Sequence, residues 1–165
     1  MAEHGIQEKL VDYLKDAHAM ETNASQMLDS MIATSDDEAT RRELEHHREE
    51  TERHRELLAD RLRAHGADVS MVKESKALGS AIVKAFTDMA GGDQPGKVAR
   101  DGFIAEQVEI ASYELLERLA RRAGDEATAE VAKRNRADEQ AMADKIASNW
   151  DRFLELSLKK ESIAV

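Results

Sequence analysis

The sequence predicts an all-α protein: four long helices paired as two antiparallel hairpins, joined by a long crossover that contains an extra short helix. Three observations predict it. Helix breakers are scarce, with one Pro and eight Gly in 165 residues, while Ala, Leu, Glu, Arg and Lys abound. Apolar residues recur at helical spacing through most of the chain. The breaks that do occur cluster at a few points, and the total length suits a single domain over residues 1–165.

The first helix is expected from about His4 to Thr34, with Leu10, Leu14, Ala17, Leu28 and Ile32 on one face. The stretch Thr34-Ser35-Asp36-Asp37 reads as a turn rich in N-cap residues. The second helix then runs to about His65 and stops at Gly66. So short a connection forces the pair to lie antiparallel. Residues 66–97 form the crossover, with a shorter helix from Ser70 to Ala90 whose stripe is Leu78, Ile82, Ala85 and Phe86. The segment from Gly91 to Gly96 ends it. The third helix is expected from about Lys97 to Arg122, followed by a turn at Gly124-Asp125. The fourth helix continues to about Leu158.

Composition excludes several function classes. A net charge of −10 argues against nucleic-acid binding, which needs clustered Lys and Arg against phosphates. The basic group Arg118, Arg121 and Arg122 reads as a solvated helix end. No run approaches the roughly 18 apolar residues of a membrane span. The start MAEHGIQEKL lacks the pattern of a signal peptide, so a cytoplasmic location is expected. Without cysteine there is no disulfide, thiolate nucleophile or Cys-based zinc site.

A water-facing helix keeps its carboxylates on the polar side, and here some are elsewhere. Advancing about 100° per residue puts Glu21 in the middle of the arc of Leu10, Leu14, Ala17 and Leu28. Glu139 falls between Ala132, Met142, Ile146 and Phe153, whereas Asp138 swings to the side. Glu106 lies among Phe103, Ile110 and Tyr113, and Glu109 shares that face one turn later. On the second helix Glu50 sits towards the edge of the arc of Leu44, Thr51, Leu58 and Leu62. His47 and His54 lie nearer its centre, while Glu49 and Glu52 point outward. Among 34 acids some fall on an apolar arc by chance, but one on each helix is a stronger pattern.

Depth supplies a second test. Counted from Ser35, Glu21 is 14 residues back and Glu50 is 15 on; counted from Gly124, Glu109 is 15 back and Glu139 is 15 on. At ~1.5 Å per residue each pair is level within its hairpin. His54, 19 residues from its turn, and Glu106, 18 from its own, are then expected to form a second layer. A buried unpaired carboxylate must be protonated, paired or metal-bound. Divalent metal explains the cluster economically: iron or manganese suits hard oxygen ligands with a histidine, zinc can also occupy such a site, and two ions fit the carboxylates better than one. The helix 2 nitrogen ligand is left open between His47 and His54.

Four segments carry a family resemblance: DYLKDAHAME (Asp12–Glu21), HREET continuing to His54 (His47–His54), AEQVEIASY (Ala105–Tyr113) and ADEQAMAD (Ala137–Asp144). In this order they resemble the bacterial YciE/YciF-type ferritin-like family, over about residues 6–155. The resemblance implies a ferritin-like four-helix bundle with a dimetal site and an association with stress responses. Two hairpins joined by one long crossover is also the connectivity of such bundles. Carried over by position, the resemblance implies metal ligands Glu21, Glu50, Glu106, Glu109 and Glu139, with His54 the favoured nitrogen donor. The sequence departs from the wider class, in which Glu is followed three residues later by His on two helices. Its literal match, Glu43 to His46, lies off the core arc, and Met142 stands where the helix 4 histidine would fall.

Other residues have plainer expectations. His18 and Tyr113 read as buried side chains first and as partners of the ligands second. His4, His46 and His65 read as surface residues, and Asn135 and Asn149 as polar groups on the fourth helix's inner face. Ile104, Val108, Leu115 and Leu119 make the third helix apolar on its outer side, so a homodimer is expected in which the crossover helix and the partner together cover it. The expected function is a dimetal protein acting on O2 or peroxide, in iron handling or stress defence; whether it turns over as an oxidase or peroxide reductase is left open by the sequence. The alternative is a non-catalytic interaction module. A large mineral-storing cage is not expected.

Overall fold

The computed structural model describes residues 2–67 and 95–163, which contain five helices and no strand. They are α1 (Ala2–Thr34), α2 (Glu38–Ala64), α3 (Pro95–Arg122), α4 (Glu126–Ala147) and α5 (Trp150–Lys160). The expected helix from Ser70 to Ala90 and the side chain of His4 lie outside the described residues.

Two of the helices start where the sequence supplies a side-chain cap. Asp37 accepts from the Thr40 backbone N–H at 2.8 Å and opens α2; Asp125 does the same for Thr128 at 3.0 Å and opens α4. Pro95 begins α3, where its missing N–H costs nothing. Gly66 (φ +70°) and Gly124 (φ +74°) end the preceding helices in the left-handed region.

The expected single fourth helix is in fact two. Asn149 Nδ2 donates to the Lys145 carbonyl at 2.7 Å and Ser148 Oγ to the same carbonyl at 3.0 Å. These short side chains compete for the carbonyl that would propagate the helix, and the backbone turns between α4 and α5. Asn149 therefore serves the break, not the inner face. Beyond it, α5 packs on α3, where Ser157 Oγ accepts from Gly96 N–H at 2.8 Å.

α1 pairs with α2 and α3 with α4, and α1–α3 and α2–α4 contacts close the bundle. The α1–α2 register shows in Ser25 with Glu52 (2.7 Å) and Asp29 with Arg48 (2.6 Å), an antiparallel progression. The two tight turns lie at opposite ends of the bundle. Arg61, His65 and Gln7 all bond to residues of the α3–α4 turn. At the other end, Glu43 pairs with Lys145 and Asp37 with Arg152. His65, expected at the surface, is half-buried because its Nε2 lies 2.7 Å from Asp125.

The core has two apolar clusters. One joins Leu10, Leu14, Leu58, Leu62, Leu116 and Ala132; the other joins Leu28, Leu44, Ala99, Met142 and Ile146. On the outer side of α3, Ile104 and Leu115 are 54% and 55% exposed, while Val108 and Leu119 are half-buried. Among the described residues no helix is long and apolar enough to cross a membrane.

Candidate metal centre

The apolar interior also contains a set of polar side chains contributed by four helices. Glu21 comes from α1, His47 and His54 from α2, Glu106 and Glu109 from α3, and Asn135 and Glu139 from α4. Helical spacing places them there. Leu44, His47, Thr51, His54 and Leu58 alternate three and four residues apart, so both histidines occupy the stripe that faces the core. Glu106, Glu109 and Tyr113 repeat the pattern on α3, as do Asn135, Glu139 and Met142 on α4.

Two triads result, and both use Glu139. In the first, His54 Nδ1 lies 2.8 Å from Glu139 Oε1 and 3.4 Å from Glu21 Oε1. In the second, His47 Nε2 lies 3.2 Å from Glu106 Oε1 and 3.5 Å from Glu139 Oε2. The carboxylate of Glu139, 0% exposed, thus offers one oxygen to each triad. Glu21, His54 and Glu139 meet in the first triad, and Glu106 meets Glu139 in the second. Both helix 2 histidines take part, where the sequence left one or the other. Glu109 belongs to neither triad but is buried, and its Oε2 has no hydrogen-bond partner among the described residues. Glu50 also lies outside the triads, 18% exposed, with Oε2 3.3 Å from His47 Nδ1.

The expected layer of His54 with Glu106 does not form. Because the hairpin turns lie at opposite ends, moving away from one turn means approaching the other. His54 consequently meets Glu21, and Glu106 meets His47. Asp138, set aside as pointing away, reaches across the α2–α4 seam to His54 Nε2 at 3.0 Å. Its signal was adjacency to Glu139, which a search confined to the apolar face passes over. Tyr113 is fully buried and donates its hydroxyl hydrogen to Glu21 Oε1, while the Tyr113 hydroxyl oxygen accepts from Asn135 Nδ2 at 3.1 Å. Its ring meets His54 edge-on, with centroids 6.2 Å apart.

The electrostatics express a shortage of positive charge. Burial, then Glu139, Glu21 and Glu106, raise Glu109 well above the usual carboxylate range. Glu139 is pushed up to about 8, first by burial and then by Glu21 and Glu106, against the opposing pull of His54. Burial lowers His54, but the Glu139 and Glu21 carboxylates outweigh it and push the imidazole up to about 10. His47 is raised well above its ordinary value in the same way, burial being overcome by Glu106, Glu50 and Glu139. Each of these four groups is driven to hold a proton.

A divalent cation answers the same shortage. Glu21 Oε2, Glu106 Oε2, Glu109 Oε2 and both oxygens of Glu139 are buried without hydrogen-bond donors among the described residues. His54 Nδ1 and Glu139 Oε1 are close but not aligned to bond each other, as expected of atoms that converge on a common point. Carboxylate oxygens with one imidazole nitrogen per triad form a donor set suited to iron, manganese or zinc. The residues fit a metal.

Comparison with known proteins agrees with this architecture. The family described as a domain of unknown function (DUF892) matches residues 5–158. A crystal structure of a protein from Xanthomonas campestris pv. campestris is 25% identical, with a TM-score of 0.77, covering 96% of this chain and 99% of that one. The Escherichia coli stress protein YciF is 17% identical with a TM-score of 0.81, covering 91% and 97% of the two chains. YcfI from Rhodopseudomonas palustris is 22% identical with a TM-score of 0.77, covering 86% and 92%. The resemblance read in the four sequence segments therefore holds.

Proposed function

This chain belongs to the DUF892 family, and from that premise and its buried centre we propose that it is a ferritin-like dimetal carboxylate protein. The observation that carries the reading is the sharing of Glu139 between two buried triads. One carboxylate with an oxygen turned to each of two His/Glu pairs is an arrangement for a pair of cations, not for one ion. Glu21, His54 and Glu139 would hold one ion; His47, Glu106 and Glu139 would hold the other. Glu109, buried beside them, is an additional oxygen donor.

Iron or manganese is the preferred pair, and bound there it would supply redox chemistry towards O2 or peroxide. The chain's own contribution is to exclude water with the flanking Leu and Met side chains, orient the carboxylates and fix Glu21 through Tyr113. A role in oxidative stress or iron handling follows, in keeping with the description of the structurally similar Escherichia coli protein as a stress protein.

The test is elemental analysis after loading the purified protein with Fe2+, Mn2+ or Zn2+. A pair of ions per chain is expected, falling sharply in Glu139→Ala. Absence of stoichiometric metal in the wild type, or unchanged content in the variant, would leave a non-catalytic helical module as the better description.

A further inference from the structure

The two histidines enter the centre by different ring nitrogens. His54 turns Nδ1 to Glu139 and Glu21, and its Nε2 lies 3.0 Å from Asp138 Oδ2. His47 does the reverse, with Nε2 towards Glu106 and Glu139 and Nδ1 3.3 Å from Glu50 Oε2. A neutral imidazole carries one N–H and one lone pair. A carboxylate behind one nitrogen therefore decides which nitrogen offers its lone pair to the front.

The helices supply these two carboxylates differently. Asp138 precedes Glu139, about 100° around α4, so one carboxylate enters the core and its neighbour crosses the seam to the back of the His54 ring. Glu50 is three residues after His47 on the same helix, the spacing at which side chains meet. Glu50 is also shared: its Oε1 lies 3.3 Å from His46 Nε2 and 3.8 Å from Arg53.

Taking as its premise that the centre binds metal, we propose that Asp138 and Glu50 are positioning residues that hold His54 and His47 in opposite tautomers. They thereby present Nδ1 of His54 and Nε2 of His47 to the two oxygens of Glu139. Neither carboxylate is a ligand. Each accepts the N–H of its histidine from behind and sets the direction in which the ring can bind. Asp138 is the stronger of the two, because Glu50 divides its oxygens among three partners.

The experiment uses Zn2+, which is diamagnetic, bound to the full chain labelled with 15N-histidine. Long-range 1H–15N spectra report which ring nitrogen binds and which keeps its proton. In the wild type, His54 should bind through Nδ1 with the proton on Nε2, and His47 through Nε2 with the proton on Nδ1. Asp138 is 34% exposed, so Asp138→Ala should keep its circular dichroism while Zn2+ affinity drops on the order of 10- to 100-fold. Asp138→Asn, whose amide oxygen still accepts from Nε2–H, should recover most of that affinity with the Nδ1 pattern intact. Binding of His54 through Nε2 in the wild type, or an unchanged spectrum and affinity in Asp138→Ala, overturns the proposal alone. A wild type that binds no Zn2+, Mn2+ or Fe2+ overturns the dimetal reading and this proposal with it.

Discussion

A carboxylate removed from water needs a proton, a cation or a hydrogen-bond donor, or it costs several kcal/mol. Both oxygens of Glu139 lack a donor among the described residues, and burial pushes the group up to about 8, so near neutral pH the metal-free side chain holds a proton. Glu139→Gln keeps the shape of that protonated acid and removes its capacity to ionise. The expected result is a metal-free protein of little changed stability near neutral pH, together with loss of any metal-induced rise in Tm. Calorimetry with and without Zn2+ reads both. Tyr113 makes the opposite case. Tyr113→Phe preserves packing but deprives Glu21 Oε1 of its donor and Asn135 Nδ2 of its acceptor. Urea denaturation should show a loss of about 1–3 kcal/mol; no loss would mean that the hydroxyl is not engaged.

At the scale of the element, the helix ends are set by local chemistry that can be read in the sequence. Asp37, Gly66, Gly124 and Asp125 all act where the sequence put a turn. Asp125 does more than cap α4, since Arg61 and His65 also converge on its carboxylate. Burial opposes ionisation there, but Thr128, His65 and Arg61 hold the group well below the usual carboxylate range. Its folded value is depressed, so its contribution is present above the ordinary 3.8 and lost as pH falls towards the folded value. Asp125→Ala should cost about 2 kcal/mol from the cap and weaken the acid dependence of unfolding, measured by urea midpoints across acidic buffers. The α4–α5 break was not legible as such. By pattern Asn149 is a polar group on the inner face of one continuous helix, and its competition with Ser148 for the Lys145 carbonyl appears only in three dimensions.

The whole molecule couples fold to charge at the centre. Without metal, His54 at about 10 and Glu139 at about 8 both bind protons more tightly in the folded chain than at their ordinary 6.5 and 4.5. Raised folded values contribute stability below the ordinary values and lose it as pH rises through the folded ones. The chelator-treated protein should therefore lose stability from mildly acidic to alkaline buffer, through the window that ends near 10. Metal binding must displace those protons, so affinity should increase over the same range and Tm in saturating Zn2+ should rise above the chelated value. A chelated protein that gains stability with pH, or a Tm indifferent to Zn2+, would contradict this account.

The sequence by itself determined the first three helices, the tight turns and most of the inward-facing acids, because each follows from spacing within about 15 residues of one chain segment. Glu21, Glu106, Glu109 and Glu139 were legible as carboxylates in an apolar stripe, and His47 and His54 as members of one. Which of them meet was decided by the tertiary structure alone. The two hairpins pack with their turns at opposite ends, so depth counted from one turn runs against depth counted from the other. That polarity pairs His54 with Glu21 and His47 with Glu106. It also brings Asp138, polar by pattern, behind a buried ring. Periodicity within a helix carries no information about the relative direction of a neighbouring hairpin, and the geometry of this centre depends on that direction.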